Sequence, residues 1–386
     1  MSAVKTPTRK LLSIEEALEL VLARVEPLPA ETVSVEHAVG RVLAEPASST
    51  IDLPPFDSSA MDGFAVCSED TPGTLPVPLR IAAGAPAGRS LARGEAMGIA
   101  TGGAVPEGAD AVIPLEYVVD NDNNIEIAEV VQAGANIRPA GGDLPRGAVV
   151  VEAGVRLGAA QVAALSAAGI AEARVSQRPR AAVLATGSEL RRPGEPLEPG
   201  QIYEVNGILI EAQLASAGAA VERLSTVADD EDAHRDALER GLDADVLVTS
   251  GGVSVGPHDL VRRIEAELGV EEVFWGVSVK PGKPISFGVH EGGLVFGLPG
   301  NPVSVLVGFE LFVRPAMLAL QGVAQPRPRF ERGRLTFDGE GPLVEPLPGR
   351  ESHMIARAAL ADALVLVRQG EDRLRPGDSV EFLRLS

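Results

Sequence analysis

A chain of 386 residues is too long for one ordinary hydrophobic core, and its length predicts two to four domains. A formal charge of -20 excludes nucleic acid or an anionic membrane surface as the main partner, because both demand a basic face. Cys67 is the only cysteine, which excludes an intrachain disulfide and a cysteine-rich zinc site; with no apolar leader in Met1 to Lys10 and no unbroken spanning run, a cytoplasmic protein is expected.

Ser13 and Glu16 form a capping-box pattern ahead of Leu18, Val21, Leu22 and Val25, which predicts an amphipathic helix to about Val25. From Pro46 to Val151 short apolar runs such as Ala111-Val112-Ile113 and Ile125-Glu126-Ile127 alternate with Gly, Pro and Asn breaks, the texture of a small β domain. Leu157 to Ala168 returns to helix and stops at Gly169, so the β part is expected to be inserted within a split subdomain.

After Arg178-Pro179 the rhythm changes. Strands are predicted at Ala181–Ala185, Val221–Val227, Val246–Thr249, Val273–Val279 and Leu294–Gly297. Helices are predicted at Asn206–Ala217, Ala233–Arg240, Leu260–Leu268 and Val303–Leu320. This alternation argues a parallel sheet covered on both faces. Gln325-Pro326-Arg327-Pro328 is a stiff linker, and the remainder reads as strands and turns. The expected domains are 1–45 with 140–178, 46–139, 179–325 and 326–386.

Ligands of an open α/β sheet bind beyond the carboxyl ends of its strands, and here those ends are polar and glycine-rich. They carry Thr186-Gly187-Ser188-Glu189, Asp229-Asp230, the run Ser250 to Asp259, Lys280-Pro281-Gly282-Lys283-Pro284 and Leu298-Pro299-Gly300-Asn301-Pro302. Ser250, Gly251, Gly252 and Ser254 combine close-approach glycines and hydroxyls before a helix, which suits phosphate. A carboxylate beside phosphate requires a cation between them, and Glu189, Asp229 and Asp259 are oxygen ligands suited to magnesium. Taken singly, each glycine is a turn and each Asp an N-cap; their joint placement favours a metal-phosphate site.

Only four residues are lysine, and Lys280 and Lys283 sit together in a Pro/Gly frame, two compact point charges aimed at an oxyanion. Ser250, Ser254 and Cys67 have no histidine-acid couple in sequence, so nucleophilic catalysis is not supported, the five histidines are scattered, and Trp275 reads as core. Asp52 to Val66 is a Pro-stiffened loop with three carboxylates, while Ala100 to Gly103 and Gly141 to Leu144 are small and polar.

The phrase Pro54 to Val66, with Thr186 to Leu190, Ser250 to Asp259, Lys280 to Pro284 and Gly297 to Ser304, resembles the molybdopterin molybdotransferase family: bacterial MoeA, its plant counterpart and the E domain of gephyrin. The resemblance spans nearly the whole chain. It implies an elongated homodimer with a split N-terminal subdomain, an inserted β domain, a three-layer α/β pterin-binding domain with a mostly parallel sheet, and a C-terminal β barrel. It implies insertion of molybdate into adenylylated molybdopterin with release of AMP and help from a divalent cation, Mg2+ or alternatively Zn2+. The cleft would lie between the α/β domain of one subunit and the N-terminal and β domains of the other. Exchange with an upstream molybdopterin adenylyltransferase and with downstream molybdoenzyme chaperones is expected.

Carried over by motif, Asp62, Asp143, Lys280, Lys283 and Asp259 would be catalytic, and Glu189, Asp229 and Asp259 would hold metal. Thr101, Thr186, Ser250, Gly251, Gly252, Ser254 and the turn Pro299, Gly300, Asn301 and Pro302 would bind substrate, with Arg332 and Ser352 adding an oxyanion contact. One departure stands out: some relatives carry lysine directly after the tryptophan, where this chain has Gly276. The competing readings are an adenylyltransferase-like enzyme, against which the long N-terminal and β parts speak, and a scaffold of the gephyrin E-domain type.

Overall fold

The computed structural model describes residues 11–81, 84–224, 230–251 and 260–323, and beyond these the backbone of strands Glu331–Asp338, Gly341–Pro346, Ala363–Val365 and Phe382–Arg384. Two compact units emerge, one of Met1–Glu31 with Ser176–Ser386 and one of Thr32–Val175.

The first unit is built on a six-stranded sheet. Its elements are helix α1 (Ile14–Leu22), β1 (Arg180–Ala185), α2 (Asn206–Ser216), β2 (Ala220–Arg223), α3 (Glu231–Leu242), β3 (Val246–Ser250), α4 (Leu260–Glu267), β4 (Glu271–Trp275), β5 (Ser286–His290), β6 (Gly293–Leu298), α5 (Pro302–Gly308) and α6 (Arg314–Leu320). The strand order is β2-β1-β3-β6-β5-β4. β2, β1, β3 and β6 are mutually parallel, whereas β5 runs antiparallel to β6 and to β4. Two reversals restore direction, so β4 ends on the same edge as the four parallel strands.

The period of two along β1 explains the layers. Ala181 and Val183 face one core with Phe287 and Phe296, covered by α1, α2, α5 and α6; Ala182 and Leu184 face a second core with Leu238, Val261 and Ile264 from α3 and α4. Helices therefore cover both faces, as the uninterrupted apolar strands predict.

Three local expectations need amendment. β5 is a strand not anticipated from the sequence, and it makes the sheet mixed. The capping box of α1 is present, with the Glu16 N–H donating to Ser13 Oγ at 3.1 Å and the Ser13 N–H to Glu16 Oε2 at 2.7 Å, but the helix ends at Leu22 rather than Val25. α1 was expected in the split subdomain; instead Ala17, Leu18 and Val21 are buried in the α/β core, because amphipathicity dictates that a helix be covered but not by what.

The second unit has a split core of its own. Val35, Ala38 and Leu43 pack with Val151, Leu157, Leu165 and Val175 from the far side of the intervening sequence. Between them lie a four-stranded sheet of Leu79–Ile81, Ala96–Ile99, Gly63–Val66 and Ala111–Pro114 and a three-stranded sheet of Gly73–Pro76, Asn124–Ile127 and Val118–Asp120. Phe64, Val66, Ile113, Ile125 and Ile127 fill the shared interior. The described C-terminal strands form an antiparallel sheet in which Arg332 pairs with Leu364.

The continuous helical run Pro302–Leu320 is long and apolar enough to cross a membrane. Its apolar residues are spent otherwise: Phe309, Phe312, Val313 and Met317 are fully buried in the α/β core.

Candidate functional site

The ends of β1, β3 and β6 are tied into one edge by the backbone. Thr186 N–H donates to Ser250 O at 3.0 Å and Gly251 N–H to Leu298 O at 3.3 Å. Gly251 has φ +91°, and a Cβ there would lie 2.6 Å from Thr186 O, so glycine is required where the two loops touch. Gly187, at φ +153°, lies under the Glu189 carboxylate: a Cβ would meet Oε2 at 2.7 Å. Glu189 is exposed, Thr186 half-buried and Ser250 buried.

The Ser250 hydroxyl is part of a polar junction that sequence reasoning did not find. Asn206, the first residue of α2, donates through Nδ2 to Ser250 Oγ at 2.9 Å and to Gly300 O at 2.7 Å, and Ser250 Oγ donates to Pro299 O at 3.3 Å. Glu204 sets up this helix start, its buried Oε1 accepting the Gly207 N–H at 2.6 Å. Asn206 was read only as a helix beginning. Its partners lie 44 and 94 residues away, and the polar cluster Tyr203-Glu204-Val205-Asn206 between a turn and an apolar helix was the available signal.

Lys280 and Lys283 stand exposed on the loop joining β4 to β5. The loop folds back on itself: the N–H groups of Val277 and Ile285 both donate to Lys283 O at 3.0 Å, and Gly276 N–H donates to Ile285 O at 2.8 Å. Val277 and Ile285 are fully buried beneath it. Gly282, at φ +117°, places its would-be Cβ 3.7 Å from Ser304 O in the first turn of α5, so the lysine loop leans on the helix that Pro299 to Pro302 begins. Gly276 has φ +88° and a would-be Cβ 2.9 Å from Leu11 Cδ2.

In the second unit the loop Asp52 to Asp62 is held along its length, and each of its carboxylates accepts a backbone N–H from elsewhere. Asp52 Oδ1 takes Arg146 N–H, Asp57 Oδ1 takes Ala140 N–H and Asp62 Oδ1 takes Thr101 N–H, each at 2.8 Å. Leu53 pairs with Leu144, and the Asp143 N–H donates to Leu53 O at 2.9 Å. Asp62, Thr101 and Asp143 thus belong to one braced loop set, and all three are exposed. Gly63, which follows Asp62, is obligatory, since a Cβ would fall 2.0 Å from Ile113 O.

Asp229, Gly252, Ser254, Asp259 and Ser352 lie outside the described residues, as does the side chain of Arg332. Of the expected metal ligands only Glu189 is described, and among the described residues no three His, Cys, Asp or Glu side chains group as a metal centre. Asp230 follows Asp229 as the N-cap of α3, with Oδ1 accepting Ala233 N–H at 2.9 Å. Trp275 is half-buried, its ring 5.4 Å from the Arg262 guanidinium carbon.

Three family profiles cover almost all of the sequence in order: the MoeA N-terminal region (domain I and II) at residues 12–169, a probable molybdopterin binding domain at 182–319 and the MoeA C-terminal region (domain IV) at 323–385. Molybdopterin molybdenumtransferase 2 of Mycobacterium tuberculosis is 39% identical over 329 residues, 81% of each chain. The molybdopterin molybdenumtransferase of Haemophilus influenzae is 33% identical over 396 residues, 96% of this chain and 98% of the relative. Among solved structures, the molybdopterin biosynthesis MoeA protein of Pyrococcus horikoshii superposes with a TM-score of 0.80 at 29% identity, over 97% of this chain and 99% of that one.

Proposed function

The chain belongs to the MoeA family of molybdopterin molybdenumtransferases, and from that premise we propose that it inserts molybdate into adenylylated molybdopterin and releases AMP. The observation that carries this reading is the placement of Lys280 and Lys283. Both ammonium groups stand exposed on a loop buttressed against the first turn of α5, beside the turn Pro299 to Pro302 and the edge bearing Ser250 and Glu189.

Molybdate is a dianion whose oxygen ligands leave as the dithiolene sulfurs bind. Fixed cations stabilise the charge on a departing oxygen, and a charge already in place costs no reorganisation at that moment. Release of AMP adds water across the phosphoanhydride, giving AMP and the phosphate ester of molybdopterin. The Thr186, Ser250 and Gly251 ends would hold the phosphate side, while Pro299 to Pro302 would shape the pterin pocket. Glu189, with Asp229 and Asp259, offers the hard oxygen donors that suit Mg2+, with Zn2+ as the alternative. When bound, that cation supplies polarisation of the phosphoanhydride. Asp62, Thr101 and Asp143 would complete the cleft from the partner subunit of a cytoplasmic homodimer, with Arg332 and Ser352 as an added oxyanion contact. Substrate would arrive from an upstream adenylyltransferase and product would pass to molybdoenzyme chaperones.

The double variant Lys280→Ala/Lys283→Ala tests this reading. Its circular dichroism and melting temperature should match the parent, because both side chains are exposed, while molybdenum insertion falls by about a hundredfold or more. Insertion at the parent rate would remove the lysine pair from the chemistry. AMP produced from preformed adenylylated molybdopterin without ATP consumption separates this reading from an adenylyltransferase.

A further inference from the structure

Asn206 carries an imbalance that the described residues around it do not repair. Both N–H bonds of its amide are used, one on Ser250 Oγ and one on Gly300 O. Gly300 O only accepts, so the amide nitrogen must face it and the orientation is fixed. The consequence is that Oδ1 is sealed from solvent with no hydrogen-bond partner among the described residues. An orphaned buried acceptor destabilises the fold, and a site selected for stability alone would hold a side chain without one.

The two donor bonds act on one short turn. Asn206 Nδ2 holds the Gly300 carbonyl, and through the Ser250 hydroxyl it is linked to the Pro299 carbonyl. In a planar trans peptide the N–H points opposite to the C=O, so tethering the Pro299 carbonyl to β3 and the Gly300 carbonyl to α2 turns the Gly300 and Asn301 N–H groups away from those partners. Gly300 is exposed, and a Cβ on it would meet nothing within 4 Å, so its backbone is open to a ligand. We propose that Asn206 is a positioning residue for substrate binding: its amide fixes the Pro299–Asn301 turn against β3 and sets the direction of the turn's peptide groups. This rests on the reading above that the turn shapes the pterin pocket.

Asn206→Ala removes both tethers together with the orphaned oxygen; Asn206→Asp keeps the size but replaces two donors by acceptors facing acceptors. In the full-length protein, Asn206→Ala should raise KM for adenylylated molybdopterin about tenfold or more while kcat and the melting temperature stay near the parent values. Asn206→Asp should be at least as impaired. The backbone amide chemical shifts of Gly300 and Asn301 in the ligand-free protein should move in both variants without a global change, a readout independent of turnover. Should the parent fail to turn over this substrate, the functional reading fails while the amide shifts still test the tether; unchanged shifts at those amides overturn the tether itself. An unaltered KM, or a KM loss tracking a fall in melting temperature of the ligand-free protein, overturns the positioning role.

Discussion

A lysine at position 276 would have to adopt φ +88°, with its Cβ 2.9 Å from Leu11 Cδ2. Left-handed backbone costs a residue with a Cβ about 1–2 kcal/mol, and Leu11 would have to yield as well. Gly276→Lys should therefore lower stability by at least about 1 kcal/mol in urea denaturation, rather than restore a third cation to the lysine loop. Position-by-position transfer from relatives is blind to this, because the obstacle is a backbone angle. Asp110 shows a different residue-scale balance. Burial pushes its carboxyl upward, yet the Ser68 N–H at 2.6 Å and the Ser68 hydroxyl at 2.7 Å hold it below its ordinary value. A carboxyl depressed in the folded state contributes stability that is complete above the unfolded value, about pH 4, and is lost as pH falls through the folded value. The stability gap between the parent and Asp110→Asn should accordingly be widest at neutral pH and shrink on acidification below about pH 4, as melting curves at several pH values would record.

At the scale of elements, the run from α5 to α6 is the most exacting. Between them Phe309–Val313 forms a π turn, and Glu310 within it is 3% exposed. Arg314 meets it through two bonds of 2.6 and 2.8 Å, and Gln213 of α2 donates to Glu310 Oε1 at 3.0 Å. Removing one partner strands a buried charge, so Arg314→Met should cost about 3–5 kcal/mol in urea denaturation, and the double variant Glu310→Leu/Arg314→Met should recover much of that loss. Elements whose signals are local were legible before the structure. The Ser13–Glu16 box, the stop at Gly169 and the apolar strands of the α/β unit all follow from neighbouring residues. β5 was not legible, because Ser286-Phe287-Gly288-Val289 is buried on both faces at its start and does not alternate. Its signal lay in the following turn, where Glu291 at φ +47° and Gly292 at φ +89° make a two-residue hairpin into β6. The same division holds for the candidate site. Lys280, Lys283 and Glu189 stand out by type and frame and Asp62 only through the resemblance, whereas the bonds of Asn206 run to Ser250 and Gly300, which only the sheet brings to it.

For the whole molecule, the proposed chemistry distributes its residues over two compact units: Asp62, Thr101 and Asp143 in one, Glu189, Ser250, Lys280 and Lys283 in the other. A homodimeric enzyme with shared clefts makes a quantitative demand that a self-contained subunit does not. In a mixed dimer of Asp62→Ala and Lys283→Ala chains, shared clefts would concentrate both substitutions in one cleft and leave the other with every residue intact. Random pairing makes about half of the dimers mixed, so molybdenum insertion should recover to roughly a quarter of the parent rate although each variant alone is inactive. Were each cleft built from a single chain, every cleft in the mixture would carry one substitution and co-expression would restore nothing. The assay also reports on assembly, because recovery requires chains to pair; two inactive variants purified separately and mixed without exchange should remain inactive, and should regain activity only after dissociation and reassociation.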